Sequence, residues 1–457
     1  MGDTSERLER AVREAAVTRE VVLEQGASAA LPGLLARHFA GRRFLLVADD
    51  RTWIAAGAGA AAVLDSAGLT HDVLVLPGTP RLKPRVSHAE AIAARIAATG
   101  TVPVAIGAGV VNDLVKRAAA VAGQPYAVVG TAASMDGYAA SGAALLDGDF
   151  KRTLPCPPPI AVLADLHVLA AAPRPMAAWG YGDLAGKIVA GADWILADAL
   201  EVDPVSPAVF DLVQSGLEGW LQRPDRLAAG DPQALAGLMG GLLVTGFAMQ
   251  AHGTSRPASG SDHQFAHLWE MEGLAVAGEP VSHGACVGIG TVAMLALYEW
   301  LLGQDLSALD IDRAVTAQPS AAAEDETVAA AFPEVGMAAS AAAEMAAKRP
   351  TADVLRRRLK RLVAVWPDLR PRLAARLPSA ARMQARLATV GAPSHPSEIG
   401  VGPAALAADY RRARLIRRRY TLLDLLADMG RLDEAVDALF APGGFWGRPA
   451  EHASSTR

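Results

Sequence analysis

Apolar and polar positions alternate in two different ways along this chain. Before Pro173, short apolar runs bounded by polar, glycine or proline positions alternate with stretches of helical periodicity, 87–98 and 113–122. Short apolar runs of this kind are typical of buried parallel strands. They occur at residues 43–48, 72–76, 102–106, 126–130 and 160–163. Strands and helices that alternate at this spacing predict a doubly wound, Rossmann-like α/β sheet with helices on both faces.

The strand pattern stops after Pro173, and the remaining sequence reads as helices separated by short glycine or proline breaks. We therefore predict an α/β domain over residues 1–170 and an all-α domain over 171–457. Residues 318–382 stand apart as an insertion that is alanine-rich, then arginine-rich, and helical without candidate chemistry. The first forty or so residues look charged and helical, and residues 1–4 and 449–457 look disordered.

Composition narrows the classes of function. The chain has 457 residues, of which 51% are hydrophobic and 20% charged, with a formal net charge of −5. This balance predicts a soluble, cytoplasmic protein and gives no electrostatic reason to expect nucleic acid or a membrane surface as partner. Two cysteines make neither a disulfide framework nor a cysteine metal site. The uncharged run 232–255 is long enough for a membrane span, but a buried helix explains its small residues equally well.

Glycines follow the predicted strand 102–106 and lead into a helix. Gly107 and Gly109 would let the backbone approach a pyrophosphate, and the helix N-terminus offers free N–H groups. The third glycine of the usual dinucleotide fingerprint is missing, so an ordinary strand-to-helix turn explains the pattern as well. A hydroxyl-bearing loop, 131–138, follows the next strand. Two such loops at neighbouring strand ends favour a shared nucleotide crevice.

Histidines concentrate in one window, which contains His252, His263, His267 and His283. His263 and His267 are four residues apart and would share one face of a helix. Asp183 lies upstream, at the predicted start of another helix. One carboxylate with two imidazoles is the ligand count of a catalytic zinc-type site, which Ni²⁺ or Fe²⁺ would also accept. The simpler interpretation, histidines buried and satisfied by neighbours, is favoured for an isolated pair at this spacing.

Taken together, these motifs resemble the sn-glycerol-1-phosphate dehydrogenases. That family belongs to the broader group of iron-type alcohol dehydrogenases, glycerol dehydrogenases and dehydroquinate synthases. The motifs TAASMDG and SRPASG, the latter followed by two histidines, carry the resemblance to this branch in particular. The similar segments are 107–142, 158–169, 178–194, 255–270, 281–299 and 415–430.

The resemblance implies a role for each matching residue. The cofactor, NAD or NADP, would be held by Gly107, Gly109, Val110, Val111, Asn112, Asp113, Thr131, Ala132, Ala133 and Ser134. One divalent metal ion, Zn²⁺ first with Ni²⁺ or Fe²⁺ as alternatives, would be bound by Asp183, His263 and His283. The substrate would be contacted by Asp136, Asp183 and His267, the last two also being catalytic.

The implied reaction is the reversible, metal-dependent reduction of dihydroxyacetone phosphate to sn-glycerol 1-phosphate by NAD(P)H. The metal ion would polarise the ketone, and His267 or a water at the metal would handle the proton. Ala108, Ala140 and Asp262 depart from the family pattern, as do a longer segment at 273–280 and the insertion 318–382. The last two sit where the choice of substrate could change.

Other functions stay open at this point. A related oxidoreductase acting on another small phosphate ester, polyol or aldehyde is the nearest alternative, because fold kinship does not fix substrate. Cyclase chemistry of the dehydroquinate synthase kind is disfavoured, because the sequence lacks the motifs of that branch. A non-catalytic, ligand-binding descendant is a third alternative. The basic cluster 411–419 fits an anionic partner or a helix face that is partly solvated and partly turned inward. Long apolar helices predict a homo-oligomer, taken as a dimer.

Overall fold

The computed structural model describes residues 2–79, 81–147 and 150–448. Within these ranges, six parallel strands form one sheet in the order β1-β8-β5-β4-β2-β3, and two antiparallel ribbons pair β6 with β7 and β9 with β10. The strands are β1 Glu20–Glu24, β2 Phe44–Asp49, β3 His71–Leu76, β4 Val102–Gly107, β5 Ala127–Gly130, β6 Ala143–Asp147, β7 Phe150–Leu154, β8 Ala161–Asp165, β9 Ala275–Val276 and β10 Glu279–Pro280. All five strands predicted from apolar runs are present.

Helices cover both faces of the parallel sheet, as the sequence predicts. Alternate residues of β2 belong to two separate cores: Leu45 and Val47 to one, Phe44 and Leu46 to the other. A strand buried on both faces needs apolar side chains at every position, which is why these runs show no alternation. The helices of this half are α1 Gly2–Glu14, α2 Leu31–His38, α3 Asp50–Thr52, α4 Ala58–Ser66, α5 Val86–Thr99, α6 Gly109–Val121 and α7 Leu166–Ala171.

Strand β1 corrects the expectation that the first forty residues are helical. It has five residues with glutamates at both ends, and it pairs only with β8 at the edge of the sheet. Five residues with a glutamate at each end are too few to show a clear alternation of apolar and polar side chains. The strand that pairs with β1 also lies far along the chain. Helix α1 does form, but it begins at Gly2 and packs against a helix of the second half, so residues 2–4 are ordered in a helix. The predicted disordered tail 449–457 lies outside the described residues.

The second half is helical, as the sequence predicts, apart from the short β9–β10 ribbon. Ala277 and Gly278 both have positive φ, 52° and 84°, and form the two-residue turn between the strands. The helices are α8 Arg174–Ala199, α9 Pro207–Gln214, α10 Leu217–Leu221, α11 Pro224–Ala228, α12 Pro232–His252, α13 Ser261–Met271, α14 His283–Leu302, α15 Ile311–Thr316, α16 Ala321–Ala331, α17 Val335–Lys348, α18 Ala352–Ala374, α19 Ala380–Val390, α20 Pro403–Arg412, α21 Leu422–Asp428 and α22 Leu432–Phe440.

Two of the helices, α12 and α14, are long and apolar enough to cross a membrane by length and composition. In the described structure, 72% and 83% of their most apolar windows are buried inside the protein. Most of the uncharged run 232–255 is therefore a core helix, α12, and some of its glycines lie where other helices pack against it. Gly241, for example, faces the Trp220 and Leu184 side chains.

The insertion is part of the helical core. One face of α18 buries Leu355, Leu359 and Leu362, which is the amphipathic pattern of a helix packed on a globular core. Leu387 of α19 reaches the backbone of α14 at Gly288. The helices α16 to α19 therefore extend the second half rather than form a separate appendage.

Helices α8 and α14 meet backbone to backbone. A Cβ atom added at Gly182 would lie 2.3 Å from the carbonyl oxygen of Gly284, and one added at Gly284 would lie 2.0 Å from the oxygen of Trp179. Neither distance is physically attainable, and the atoms in the way are main chain. Glycine is therefore required at both positions for the helices to approach this closely.

We expect Gly182→Ala to destabilise the protein by about 2 kcal/mol or more, because overpacking against a backbone carbonyl cannot be relieved by a side-chain rotation. Gly219→Ala is the matched control, since a Cβ there meets no atom within 4 Å. Alanine in an open helical position should be neutral or slightly stabilising. The free energy of unfolding of both variants, measured in denaturant, tests this. Equal effects at the two sites would contradict the close-contact interpretation.

Candidate active site

The first part of the site is the crevice at the carboxyl ends of β4 and β5. The Tyr138 hydroxyl donates to the carbonyl of Ala132 at 2.7 Å and reaches that of Gly107 at 3.4 Å. Thr131 N–H also donates to Gly107 at 3.2 Å. The two loops that the sequence assigns to a nucleotide crevice are thus joined, and α6 begins at Gly109 beside them.

Side chains near the start of α6 form hydrogen bonds to other parts of the protein. Asn112 donates to the carbonyl of Gly137 at 3.2 Å and accepts from the Tyr126 hydroxyl, also at 3.2 Å. Asp113 accepts from the main-chain N–H of Ala144 at 3.0 Å. Since first-turn N–H groups lack intrahelical partners, this turn can offer a ligand its backbone rather than these side chains. Val111 and the whole 131–134 loop are buried.

At the end of β2, the structure makes Asp49 a helix cap. Its carboxylate accepts from Thr52 N–H at 2.7 Å, and the Thr52 hydroxyl accepts from Asp49 N–H at 3.0 Å. This reciprocal capping fixes the start of α3.

The second part of the site brings Asp183, His263 and His283 together. Their potential ligand atoms all lie within 4.8 Å of one another. Asp183 is in α8, His263 in α13 and His283 is the first residue of α14. Asp183 and His263 are buried, whereas 28% of the His283 side chain is exposed. The cluster therefore has two fixed members and one that opens toward solvent.

A carboxylate orients each histidine of the cluster. His263 Nδ1 lies 2.5 Å from Asp262 Oδ2, and His283 Nδ1 lies 2.9 Å from Glu270 Oε1. Carboxylates accept hydrogen bonds, so each Nδ1 is the donor, and Nε2 of the neutral imidazole is then the nitrogen that can bind a metal ion. Such carboxylate–histidine pairs are the usual support of metal-binding imidazoles. The donor set and its supports thus fit a divalent ion such as Zn²⁺, Ni²⁺ or Fe²⁺.

Lys187 is a member of the site that the sequence analysis missed. Its buried ammonium lies 2.6 Å from Asp183 Oδ1 and 2.7 Å from Asp136 Oδ2. Asp136 also donates its main-chain N–H to Asp183 Oδ2 at 2.9 Å. Burial opposes charge on Lys187, but the two carboxylates outweigh it and raise its pKa. Burial likewise opposes charge on Asp183, yet Lys187 and the nearby imidazoles hold its pKa far below the usual range.

The signal for Lys187 was the spacing of four residues from Asp183 on one predicted helix. Glu270 carried a similar signal, three residues after His267. Spacing alone does not show that Lys187 also pairs with Asp136 on another element. Nor does it show that Glu270 also contacts His283 on another helix.

His267 lies beside the cluster and outside its ligand set. Its ring centroid is 6.1 Å from that of His263 and 5.7 Å from that of His283. Its Nδ1 is 3.3 Å from Glu270 Oε2. Burial and then the charge of Arg417 lower the pKa of His267 well below its ordinary value. His252 is elsewhere, edge-on to Trp194 at 4.9 Å.

A cavity of about 680 Å³ borders the histidine cluster. Of the residues that the sequence assigns to the cofactor, Asp113 lines it, whereas residues 107–112 and 131–134 do not. Its lining includes Asp113, Asp136, Ala140, Ser259, His263, His267, His283 and Arg417, together with residues of the β6–β7 ribbon and the loop after it. The ribbon closes one wall, a role that the sequence analysis did not foresee because it predicted no strands there. Residues 275–280 are exposed in the β9–β10 ribbon and are not part of this lining.

The chain is similar in sequence to known dehydrogenases. The profile of the family described as iron-containing alcohol dehydrogenase matches residues 22–173. A glycerol-1-phosphate dehydrogenase [NAD(P)+] from Halalkalibacterium halodurans is 35% identical over 256 residues, which are 56% of this chain and 64% of that protein. One from Geobacillus thermodenitrificans is 28% identical over 387 residues, covering 84% of this chain and 86% of the relative.

Solved structures share the fold at low sequence identity. Glycerol dehydrogenase from Schizosaccharomyces pombe aligns with a TM-score of 0.57 and 14% identity, covering 93% of this chain and 91% of that one. The NADH-dependent butanol dehydrogenase A of Thermotoga maritima also gives 0.57, with 13% identity and coverage of 93% and 96%. The chain is therefore similar to the iron-containing alcohol dehydrogenases over residues 22–173 and shares their fold. Its sequence similarity to glycerol-1-phosphate dehydrogenases confirms the resemblance inferred from its motifs.

We expect Glu270→Gln to weaken divalent metal binding by roughly 10- to 100-fold, because outer carboxylates fix the orientation and basicity of ligating imidazoles. Glu279→Gln, in the exposed β9–β10 ribbon, is the control and should bind metal like the wild type. Titration of metal-free protein with Zn²⁺ under competition from a chelator gives both affinities. Wild-type affinity in Glu270→Gln would mean that this carboxylate does not support the site.

Proposed function

We propose that the protein reduces dihydroxyacetone phosphate to sn-glycerol 1-phosphate with NADH or NADPH, reversibly and with one bound divalent metal ion. The observation that carries this proposal is that the Asp183–His263–His283 cluster opens, through His263 and His283, on a cavity that is also lined by Asp113 of α6 and by Asp136 of the loop after β5. The relatives named as glycerol-1-phosphate dehydrogenases [NAD(P)+] support the reaction and the cofactor.

We assign the metal site to Asp183, His263 and His283. Zn²⁺ is our first choice, with Ni²⁺ or Fe²⁺ as alternatives. When bound there, the ion would supply Lewis acidity to the ketone, and the nicotinamide would supply the hydride. Lys187 keeps Asp183 ionised and fixed, because its ammonium holds one oxygen while the Asp136 N–H holds the other. The site therefore presents a charged carboxylate without rearrangement.

Asp136 and His267 are the groups that we assign to the substrate. Both line the cavity. The lowered pKa of His267 means that its imidazole is neutral near pH 7, with Nδ1 directed at Glu270. It can therefore accept a proton from the alcohol in the oxidation direction and return one in the reduction direction. Asp136, held by Lys187, can accept a hydrogen bond from a substrate hydroxyl.

The cofactor would take its pyrophosphate to the first turn of α6, where the N–H groups of Gly109, Val110 and Val111 begin the helix. Residues 131–134 would lie against the nicotinamide half. The choice between NAD and NADP stays open. A cytoplasmic homo-oligomer remains our expectation for the state of the protein.

The test is oxidation of NADH and of NADPH with dihydroxyacetone phosphate, using metal-stripped protein resupplied with Zn²⁺, Ni²⁺ or Fe²⁺. We expect metal-restored turnover in the wild type and its loss by at least about 1,000-fold in His263→Ala. His252→Ala removes a histidine outside the site and should retain activity.

Turnover that survives in His263→Ala would refute the metal assignment. Tightly bound, stoichiometric metal without turnover would refute the substrate assignment and point to another phosphate ester, polyol or aldehyde. Absence of both would favour a non-catalytic descendant.

A further inference from the structure

Two side chains of the basic residue types lysine and arginine, Lys116 and Arg417, line the cavity. Lys116 has no donor to spare. Its ammonium is fully buried and lies 2.9 Å from the carbonyl oxygen of Gly137, 3.0 Å from that of Gly142 and 3.3 Å from Asp113 Oδ1. An ammonium group has three donors. Lys116 is therefore a structural tie between α6 and the loop after β5, and an incoming anion would have to break it.

Arg417 is in a different state. It reaches the cavity wall from the segment before α21, and within the described residues its hydrogen bond is to Ser259 Oγ at a long 3.4 Å. A guanidinium has five N–H donors, so most of them remain for a ligand. Burial lowers the pKa of Arg417, and the more distant carboxylates Glu344 and Glu270 oppose this effect.

The arginines on either side of Arg417 in sequence are already committed. Arg418 is exposed and forms paired contacts with Glu344, its Nη2 2.7 Å from Oε1 and its Nε 3.1 Å from Oε2. Arg419 turns inward and donates to the carbonyl of Ser259 and to Ser255 Oγ. Of these three arginines, Arg417 is the one that lines the cavity with donors left for a ligand.

We propose that Arg417, together with the hydroxyl of Ser259, binds the phosphate group of a phosphorylated ketone whose carbonyl lies at the Asp183–His263–His283 cluster. The proposal rests on the function proposed above and adds the group that selects phosphorylated over unphosphorylated substrates. Guanidinium matches phosphate oxygens through two parallel N–H···O bonds, and the Ser259 hydroxyl can donate a third. A dianion would also offset the cost of burying the Arg417 charge.

The insertion holds this anion site in place without touching the cavity. Glu344 of α17 accepts a hydrogen bond from the side chain of Arg418, the residue after Arg417. Lys348 of the same helix lies 2.7 Å from the carbonyl oxygen of Arg414 and 2.7 Å from Asp424 Oδ1. Glu344 also accepts from the main-chain N–H of Arg418 at 2.7 Å. This bond and the bond from Lys348 to the Arg414 carbonyl hold the backbone of the 411–419 segment. Glu344 and Lys348 are therefore positioning residues, through which the insertion affects substrate recognition.

The experiment compares dihydroxyacetone phosphate with dihydroxyacetone as substrates of the metal-loaded enzyme. We expect Arg417→Met to lower kcat/KM for the phosphorylated substrate by roughly 100-fold or more, chiefly through KM. The loss for the unphosphorylated substrate should be far smaller. Arg417→Lys keeps the charge without the planar fork and should recover part of the loss. Arg411→Met is the control, because Arg411 belongs to the same basic cluster but pairs with Asp433 and Asp437.

Calorimetric titration with inorganic phosphate separates this proposal from the proposed function. Phosphate binding that is present in wild type and Arg411→Met but absent in Arg417→Met supports the anion site, even if neither ketone is reduced. Equal losses for the two substrates in Arg417→Met, or phosphate binding that persists in that variant, would overturn the proposal. Glu344→Gln should raise KM for the phosphorylated substrate with little change in kcat, whereas a purely structural role would lower stability alone.

Discussion

The contact between α8 and α14 is the constraint on which the rest of the site depends. Gly182 and Gly284 let the two main chains touch, and the residues next to them in sequence are Asp183 and His283. Because side chains project from their backbones by fixed lengths, ligand atoms from two helices converge within a few ångströms only when the helices are this close. The axes of packed helices usually lie about 8–10 Å apart, and a closer approach requires small residues where the helices cross.

Helix α8 also fixes the third ligand. Ten residues beyond Asp183, the buried carboxylate of Asp193 accepts from Ser261 N–H and Ser261 Oγ, both at 2.7 Å. It further accepts from the Tyr298 hydroxyl at 2.7 Å and from Leu422 N–H at 3.0 Å. These bonds set the start of α13, and with it the position of His263. Buried charges of this kind contribute little net stability, but losing one partner is costly, so they define a single arrangement.

The sequence predicted the parts of the fold that rest on local periodicity. Strands β2, β3, β4, β5 and β8 and the helices between them were recognisable because each is a continuous apolar run or a regular helical face. The edge strand β1 and the β6–β7 ribbon were missed because short strands with charged or small residues carry almost no period. Their existence depends on partners elsewhere, β8 for the first and each other for the second.

The candidate site, like the fold, could be predicted from the sequence only in part. Asp183, His263 and His283 were named because their residue types and the family motifs pointed to them, and the structure places them together. Lys187, Glu270 and Arg417 were not named, since each acquires its role from a partner on another element. The sequence leaves two interpretations of the basic cluster 411–419, an anionic partner or a helix face that is partly solvated and partly turned inward. Arg418 is exposed, whereas Arg419 turns inward and Arg417 reaches the cavity.

One peptide group links the two halves of the site. The N–H of Asp136 ends the loop that begins at Thr131, and it donates to the carboxylate of Asp183. A ligand that shifts this loop therefore acts on Asp183, and an ion bound to Asp183 acts on the loop. By thermodynamic reciprocity, each would change the protein's affinity for the other by the same factor. In the proposed function, this one hydrogen bond would couple the binding of the cofactor to that of the metal ion.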